Sequence, residues 1–417
     1  MINIINTMLW CFLSTIVFVV LISTGKLSTK YILILPFLFL FAIFLHYKSG
    51  KKDKNYLLKV IGIHNNPRIP QYDYLRVLAM SMVIITHAIQ IDFSKDLIHG
   101  DTMPHILRFL AVFCMCCNTL YVMLSGALLL PYKEEKSLFH FYIKRFTSVG
   151  IPMIVYLLFY EWNSLGLANG NWNEIKEISA VLYYANFIDS PHFWLICTLL
   201  TFYVAVPFMR YMFKDLPYRW LTILVIISII WITIPLFVKP GFGYSTFLSG
   251  WVGVAIMGYW VTRKETERYY NIIFIMGIIA IAAMIYIIQT EENYMNLCCN
   301  LSPISIIITL AIFCFVFRFK KLFQKSNPLL SILSKYSYSI ILLHWWSIHF
   351  VTIARYNITV NWKHGLGLLL SLGITIIVSF IVAFVTDNLF VIVAKELWIN
   401  VCTFLYRVYT KLKVNAK

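Results

Sequence analysis

Acidic residues are scarce in this chain, with 18 Asp and Glu against 35 Lys and Arg in 417 residues. Charge of either sign makes up only 13% of it, while 60% is hydrophobic. That shortage excludes a soluble domain of this length, which could not hide so much apolar surface, whereas lipid accepts it. A mean hydropathy of +0.77 points the same way. The formal charge of +17 does not mark a nucleic-acid partner either, because the basic residues are not gathered on one domain or face. They recur in short clusters between apolar runs, as expected of loops held on the cytoplasmic side. Paired cysteines are missing too. Cys11, Cys114, Cys116, Cys117, Cys197, Cys314 and Cys402 lie in apolar stretches, and Cys298 and Cys299 are adjacent. Nothing has the spacing of a zinc site, so no metal is expected. No convincing internal repeat is present, which weakens a transporter built from inverted halves. No small-residue cleavage site follows the opening run 4–24, which therefore reads as a retained helix.

What is present is a series of apolar runs of helical length, near 4–24, 30–46, 74–92, 108–130, 147–161, 192–213, 219–238, 244–262, 270–289, 299–318, 336–354 and 365–387. Pro, Gly, Asn or charges break them apart. The fold expected is an all-α polytopic membrane protein with about twelve transmembrane helices. Basic residues alternate from loop to loop. Segment 47–73 carries Lys48, Lys51, Lys52, Lys54, Lys59 and Arg68, and 131–146 carries Lys133, Lys136, Lys144 and Arg145. Further clusters fall at 210–219, 263–268, 318–335 and in the tail, whereas the intervening loops are nearly bare. This bias sets both termini in the cytoplasm and makes the third helix enter from that side. Four regions follow: two plain helices at 1–46, a basic cytoplasmic linker at 47–71, a ten-helix unit at 72–387, and an amphipathic basic cytoplasmic tail at 388–417. Lys395 and Glu396 interrupt the tail, as in an interfacial helix.

One arginine is left when the others are assigned to loops and helix ends. Arg76 lies a turn inside the third helix, and ionisable residues at membrane depth are functional candidates by default. His87 follows eleven residues later. At about 100° per residue the two fall within about 20° of one face, about 16 Å apart along the axis. Asp73 shares that face, three residues before Arg76, and can pair with it. Histidine needs the least perturbation to act as a general base at neutral pH. Spacing alone leaves two readings standing. The stripe is a site, or Arg76 snorkels with Asp73 as partner while His87 makes one interhelical hydrogen bond.

The segment from Tyr72 to His87, with Asp-x-x-Arg and then Arg-x10-His, resembles the start of the catalytic unit of the bacterial membrane acyltransferase-3 family. Four further signatures follow in family order. Tyr121-Val-Met-Leu-Ser125-Gly126 is similar to its Phe-x-x-x-Ser-Gly helix. Phe141-Tyr-Ile-Lys144-Arg145-Phe, followed by Ile151-Pro152, resembles its basic loop and proline-bearing helix. His192-Phe-Trp194, with Tyr203 and Pro207, resembles its His-x-Trp helix. Ser337-Tyr-Ser339, with Leu343-His344, resembles its late Ser-Tyr-Ser…His helix. The resemblance covers roughly 70–386. It departs in a thinner basic loop, where Phe-Thr-Ser follows Lys144-Arg145, and in the two extra N-terminal helices.

The resemblance implies an acyltransferase, O-acetyl transfer foremost, with His87 as base and Arg76 helping to hold an acyl-CoA donor. No permanently bound cofactor is implied; acetyl-CoA is a co-substrate. Arg76, Lys144 and Arg145 are expected on the cytoplasmic side, where phosphates arrive. Ser125 is either a donor to the polarised carbonyl, the nucleophile of an acyl-enzyme, or a packing residue. His344, about two turns into its apolar run, either contacts the donor or joins two helices. Glu161, His192 and Trp194 are outer-side candidates for an envelope glycan or lipid-linked sugar, with an aromatic belt as the plain alternative. The other functional class is an exporter or flippase of such a sugar, with Arg76 and His87 gripping cargo. The expected setting is the bacterial cytoplasmic membrane.

Overall fold

A computed structural model of the chain describes residues 2–23, 34–63, 69–92, 105–131, 137–164, 191–236, 250–291, 294–325, 327–357 and 366–415. Among these the structure is helical, with no strand. In chain order the helices are α1 (Ile2–Ser23), α2 (Ile34–Lys52), α3 (Tyr56–Ile61), α4 (Pro70–Asp92), α5 (His105–Cys114), α6 (Cys117–Leu129), α7 (Leu138–Arg145) and α8 (Ile151–Ser164). They continue as α9 (Trp194–Phe213), α10 (Tyr218–Thr233), α11 (Trp251–Val261), α12 (Tyr270–Thr290), α13 (Tyr294–Cys298) and α14 (Pro303–Arg318). The last four are α15 (Lys320–Phe323), α16 (Pro328–Asn357), α17 (Leu366–Thr386) and α18 (Ile392–Asn415).

Every apolar run picked out from the sequence contains a helix. Among the described residues, nine spans are long and apolar enough to cross a membrane, and α10 and α11 are apolar but shorter. Proline marks where several begin. Pro70, Pro303 and Pro328 each occupy a first helical position, where the missing N–H costs nothing. Ser302 caps α14 by accepting from the Ser305 N–H at 3.1 Å, and the Asn327 side chain accepts from the Leu330 N–H at 2.6 Å. α16 therefore begins eight residues before the apolar run at 336. Its first half carries a buried serine row, which hydropathy alone reads as polar and loop-like. α17 passes through a π-helical turn at Asp387–Val391 into α18, so the tail continues the last apolar helix rather than standing apart.

The contacts divide the chain into two units, Met1–His64 with Glu135–Leu200 and Val378–Lys417, and Asn65–Glu134 with Thr201–Ile377. In the first, Trp10, Phe39, Leu45, Val60, Leu389 and Val393 form an apolar core joining the N-terminal helices to the start of α18. His46 sits fully buried beside it, stacked on Trp10 with ring centroids 3.8 Å apart. In the second unit, α6 and α11 touch backbone to backbone. A Cβ at Gly126 would overlap the Ala255 carbonyl, and one at Gly258 would overlap that of Met123. Reciprocal glycines let two apolar helices approach closely without a side chain between them.

Candidate active site

α4 and α16, both in the second unit, run parallel and meet at three levels in matching order. At the first, the Tyr74 hydroxyl donates to the Lys325 carbonyl at 3.1 Å, just before α16 begins. At the second, the Arg76 guanidinium donates to Asp73 Oδ1 at 2.9 Å and to Ser334 Oγ at 2.7 Å. Ser334 in turn donates to Asp73 Oδ1, which closes a three-membered polar ring. At the third, His87 Nδ1 meets His344 Nε2 at 2.7 Å. α4 advances eleven residues between Arg76 and His87, and α16 ten between Ser334 and His344, so the helices keep pace.

The ion pair is asymmetric. The Asp73 side chain is 5% exposed and that of Arg76 28%. Asp73 Oδ2 is buried with no hydrogen-bond partner among the described residues. A buried carboxylate oxygen in that state is costly unless something arrives to donate to it. What the pair offers an arriving molecule is the part-exposed side, the further guanidinium N–H groups of Arg76. Tyr121 steadies the same turn, its hydroxyl donating to the Arg76 carbonyl at 3.2 Å.

The proton positions at the histidine level follow from one carbonyl. His344 Nδ1 lies against the Ile341 carbonyl oxygen, which can only accept, so Nδ1 carries the proton. In neutral His344, Nε2 is then a bare acceptor, and His87 must donate to it from Nδ1. That leaves the lone pair of neutral His87 on Nε2, which has no hydrogen-bond partner among the described residues. The Trp345 ring stands edge-on to the His87 ring at 5.3 Å and 85°, while His344 is nearly parallel to it at 17°. His87 is therefore held in one orientation and one tautomer, with its second nitrogen available.

Of the residues singled out from the sequence, the structure joins Asp73 to Arg76, and His87 to His344. Because α16 starts at Pro328, His344 lies sixteen residues along it, about 24 Å, rather than about two turns in. It is level with His87. Ser125 is half-buried on α6, next to the glycine contact with α11, and bonds to none of these groups.

Lys144, Arg145, His192, Trp194 and Glu161 belong to the first unit. Lys144 is exposed at the end of α7, and the Arg145 guanidinium lies over the Phe141 ring at 5.5 Å. His192 is buried against Tyr160 and Phe193, with centroids 5.8 and 4.8 Å away, and half-buried Trp194 opens α9. Glu161 lies in α8 with its side chain outside the described residues, as do Trp172, Tyr183 and Tyr184 in their entirety.

Two functional-looking residues escape the sequence reading. Ser334 belongs to a serine-rich stretch and has no distinguishing spacing. Arg210, grouped with a loop by its neighbours, is buried near the end of α9 and donates from Nε to the Leu129 carbonyl at the end of α6. A cation there also complements the partial negative charge of the helix C-terminus.

In comparison with known proteins, residues 69–386, well over half of the chain, match a family model described as an acyltransferase domain, the third family of that name. No curated protein and no solved structure matches the chain.

Proposed function

This chain belongs to the acyltransferase-3 family, and from that premise we propose that it moves an acyl group, acetyl foremost, from cytoplasmic acyl-CoA to a hydroxyl of an envelope glycan or lipid-linked sugar. The observation that carries the reading is the His344–His87 pair, in which a fixed chain of hydrogen bonds leaves a lone pair on His87 Nε2. In the proposed step His87 Nε2 takes the proton of the acceptor hydroxyl while its oxygen bonds to the thioester carbonyl carbon. The C–S bond then breaks, and the departing sulfur takes the proton back from Nε2, giving ester and free CoA thiol. His344 Nε2 keeps its hydrogen bond to Nδ1 and stabilises the imidazolium formed on the way, the part a third group plays wherever a catalytic imidazole is oriented.

Arg76 suits the donor end. It is paired but not sealed, and a guanidinium binds phosphate or carbonyl oxygen without risk of deprotonation. Asp73 and Ser334 fix its direction. Lys144, Arg145 and Ser125 are proposed on the donor side, and Glu161, His192 and Trp194 on the acceptor side. The loop charges support cytoplasmic termini in a bacterial cytoplasmic membrane.

The test is donor fate. Membrane vesicles containing the chain are given acetyl-CoA labelled in the acetyl group, and envelope carbohydrate is analysed by mass spectrometry. Transfer predicts loss of thioester matched by label in an ester. If carbohydrate crosses the vesicle membrane while the thioester survives, the chain is an exporter and the enzymatic reading fails.

A further inference from the structure

The second unit holds a cleft of about 870 Å³ that the polar ring and the histidine pair do not use. Its lining includes Tyr72, Lys214, Tyr259, Arg263, Lys264 and Glu265. Four helix ends converge on it: the start of α4, the C-terminal ends of α6 and α11, and the residue just past α9. Three cations face one carboxylate. That carboxylate is already engaged, since Glu265 accepts from Arg263 at 3.1 Å, while Arg263 also donates to the Tyr259 hydroxyl at 3.1 Å. Lys264 forms no ion pair among the described residues. An open cleft of this size with a surplus of positive charge selects a compact anion.

We propose that this cleft holds the phosphorylated adenosine of the acyl-CoA donor, with Lys214 and Lys264 as its phosphate contacts and Tyr72 and Tyr259 as aromatic walls for the base. The inference rests on the donor assignment above and deepens it. A length argument connects the two. Thirteen bonds separate the thiol sulfur of CoA from its nearest phosphorus, the backbone of a little over four extended residues, or about 16 Å. Eleven residues of α4 between His87 and Arg76 span about the same distance. A thioester at His87 therefore brings the diphosphate to Arg76, and the nucleoside must lie further along. Tyr72 is one turn beyond Arg76, about 40° around the helix and about 22 Å from His87. It lines the cleft. Stacking on tyrosine faces is open to any purine, and the lysines act as point charges on phosphate.

The experiment measures equilibrium binding of adenosine 3′,5′-bisphosphate, CoA and pantetheine to the detergent-solubilised full chain. Wild type is compared with Lys214→Glu, Lys264→Glu and, as a charge control from the first unit, Lys51→Glu. The expected result is about tenfold weaker binding of the bisphosphate and of CoA for each cleft reversal, with pantetheine unchanged and Lys51→Glu like wild type. Binding to wild type should also weaken as salt rises. If a reversal does not fold, Lys264→Gln is read instead, with a several-fold loss expected. Equal bisphosphate affinity in wild type and cleft variants overturns the cleft assignment while CoA binding keeps the donor reading alive. Failure of wild type to bind CoA at all overturns both.

Discussion

His46 and His87 both end up inside helical packing, yet they are equipped for opposite tasks. His46, in the first unit, has both ring nitrogens occupied. Nδ1 meets the Tyr56 hydroxyl at 2.8 Å, and Nε2 donates to the Asn388 carbonyl at 2.7 Å. Its own carbonyl accepts from Asn6 at 2.9 Å, and Trp10, stacked on its ring, donates to Asn6 at 2.8 Å. A ring with no spare nitrogen, wholly buried, cannot take a proton from a substrate. It ties α2 to α3 and to the π-helical turn before α18. His87, in the second unit, spends one nitrogen on His344 and keeps the other. Saturation of hydrogen bonds, rather than burial or residue type, separates a structural histidine from a chemical one.

Replacing each ring in turn sharpens that contrast. His87→Ala removes the only group proposed to move a proton, so acetyl transfer should fall by about 10²–10⁴. The thermal unfolding midpoint in detergent should also drop by a few degrees, because buried His344 loses its Nε2 partner, so the rate is taken per folded molecule. Normal turnover in a folded His87→Ala chain would erase the distinction between the two sites. In the proposed step His344 positions His87, so His344→Leu should cost about 10–100-fold in kcat, with KM for the thioester little changed. Gln at 344 can still accept from His87 Nδ1 through its amide oxygen and should recover part of the rate. A role confined to filling space predicts equal losses for Leu and Gln.

His46→Phe should invert the pattern. The substitution preserves a ring against Trp10 but leaves the Tyr56 hydroxyl and the Asn388 carbonyl without this partner. Unsatisfied buried groups cost about 1–3 kcal/mol each, so the unfolding midpoint should drop by several degrees. Transfer per folded molecule should stay near the wild-type level. A selective loss of kcat at unchanged stability would make His46 part of the chemistry and collapse the comparison.

How much of this could be seen in advance depends on the range of the interaction. The helices were legible because each apolar run is long and interrupted by Pro, Asn or charge, and the Asp73–Arg76–His87 stripe was legible because a helical repeat of about 100° aligns it within one segment. The partner of His87 was not. His344 lies 257 positions away, and only the parallel register of α4 and α16 brings them together. Ser334 was hidden by its company, since serines among lysine and tyrosine look like a loop until their buried face is known. Arg210 reads as a loop residue because a cation three residues before a helix end is equally at home in water, and burial depends on what packs over it. His46 gave no sign of saturation, because its partners come from three separate segments.

The same comparison can be drawn between two aspartates, and it carries the smallest expected effect. Asp73 is buried in the ring with Ser334 and Arg76, whereas Asp53, in the connection between α2 and α3, is paired with Lys59 at the surface. The Lys59 hydrogen bond, followed by the Asn55 N–H, holds the Asp53 carboxyl below its ordinary value of 3.8. A depressed folded-state value means the pair contributes above the unfolded value and loses that contribution as pH falls through the folded one. Asp53→Asn should therefore unfold slightly earlier than wild type at neutral pH, and the gap should narrow as the pH falls below 3.8 and close beneath the lower folded value. It should also shrink with added salt, because exposed ion pairs are screened and contribute little. Asp73→Asn should behave differently toward salt. It removes the anion beside a cation that is mostly shielded from water, so its unfolding midpoint should drop further and recover little at high ionic strength. If the two variants respond alike to salt, Asp73 is as well hydrated as Asp53, and the polar ring is a surface feature rather than an interior one.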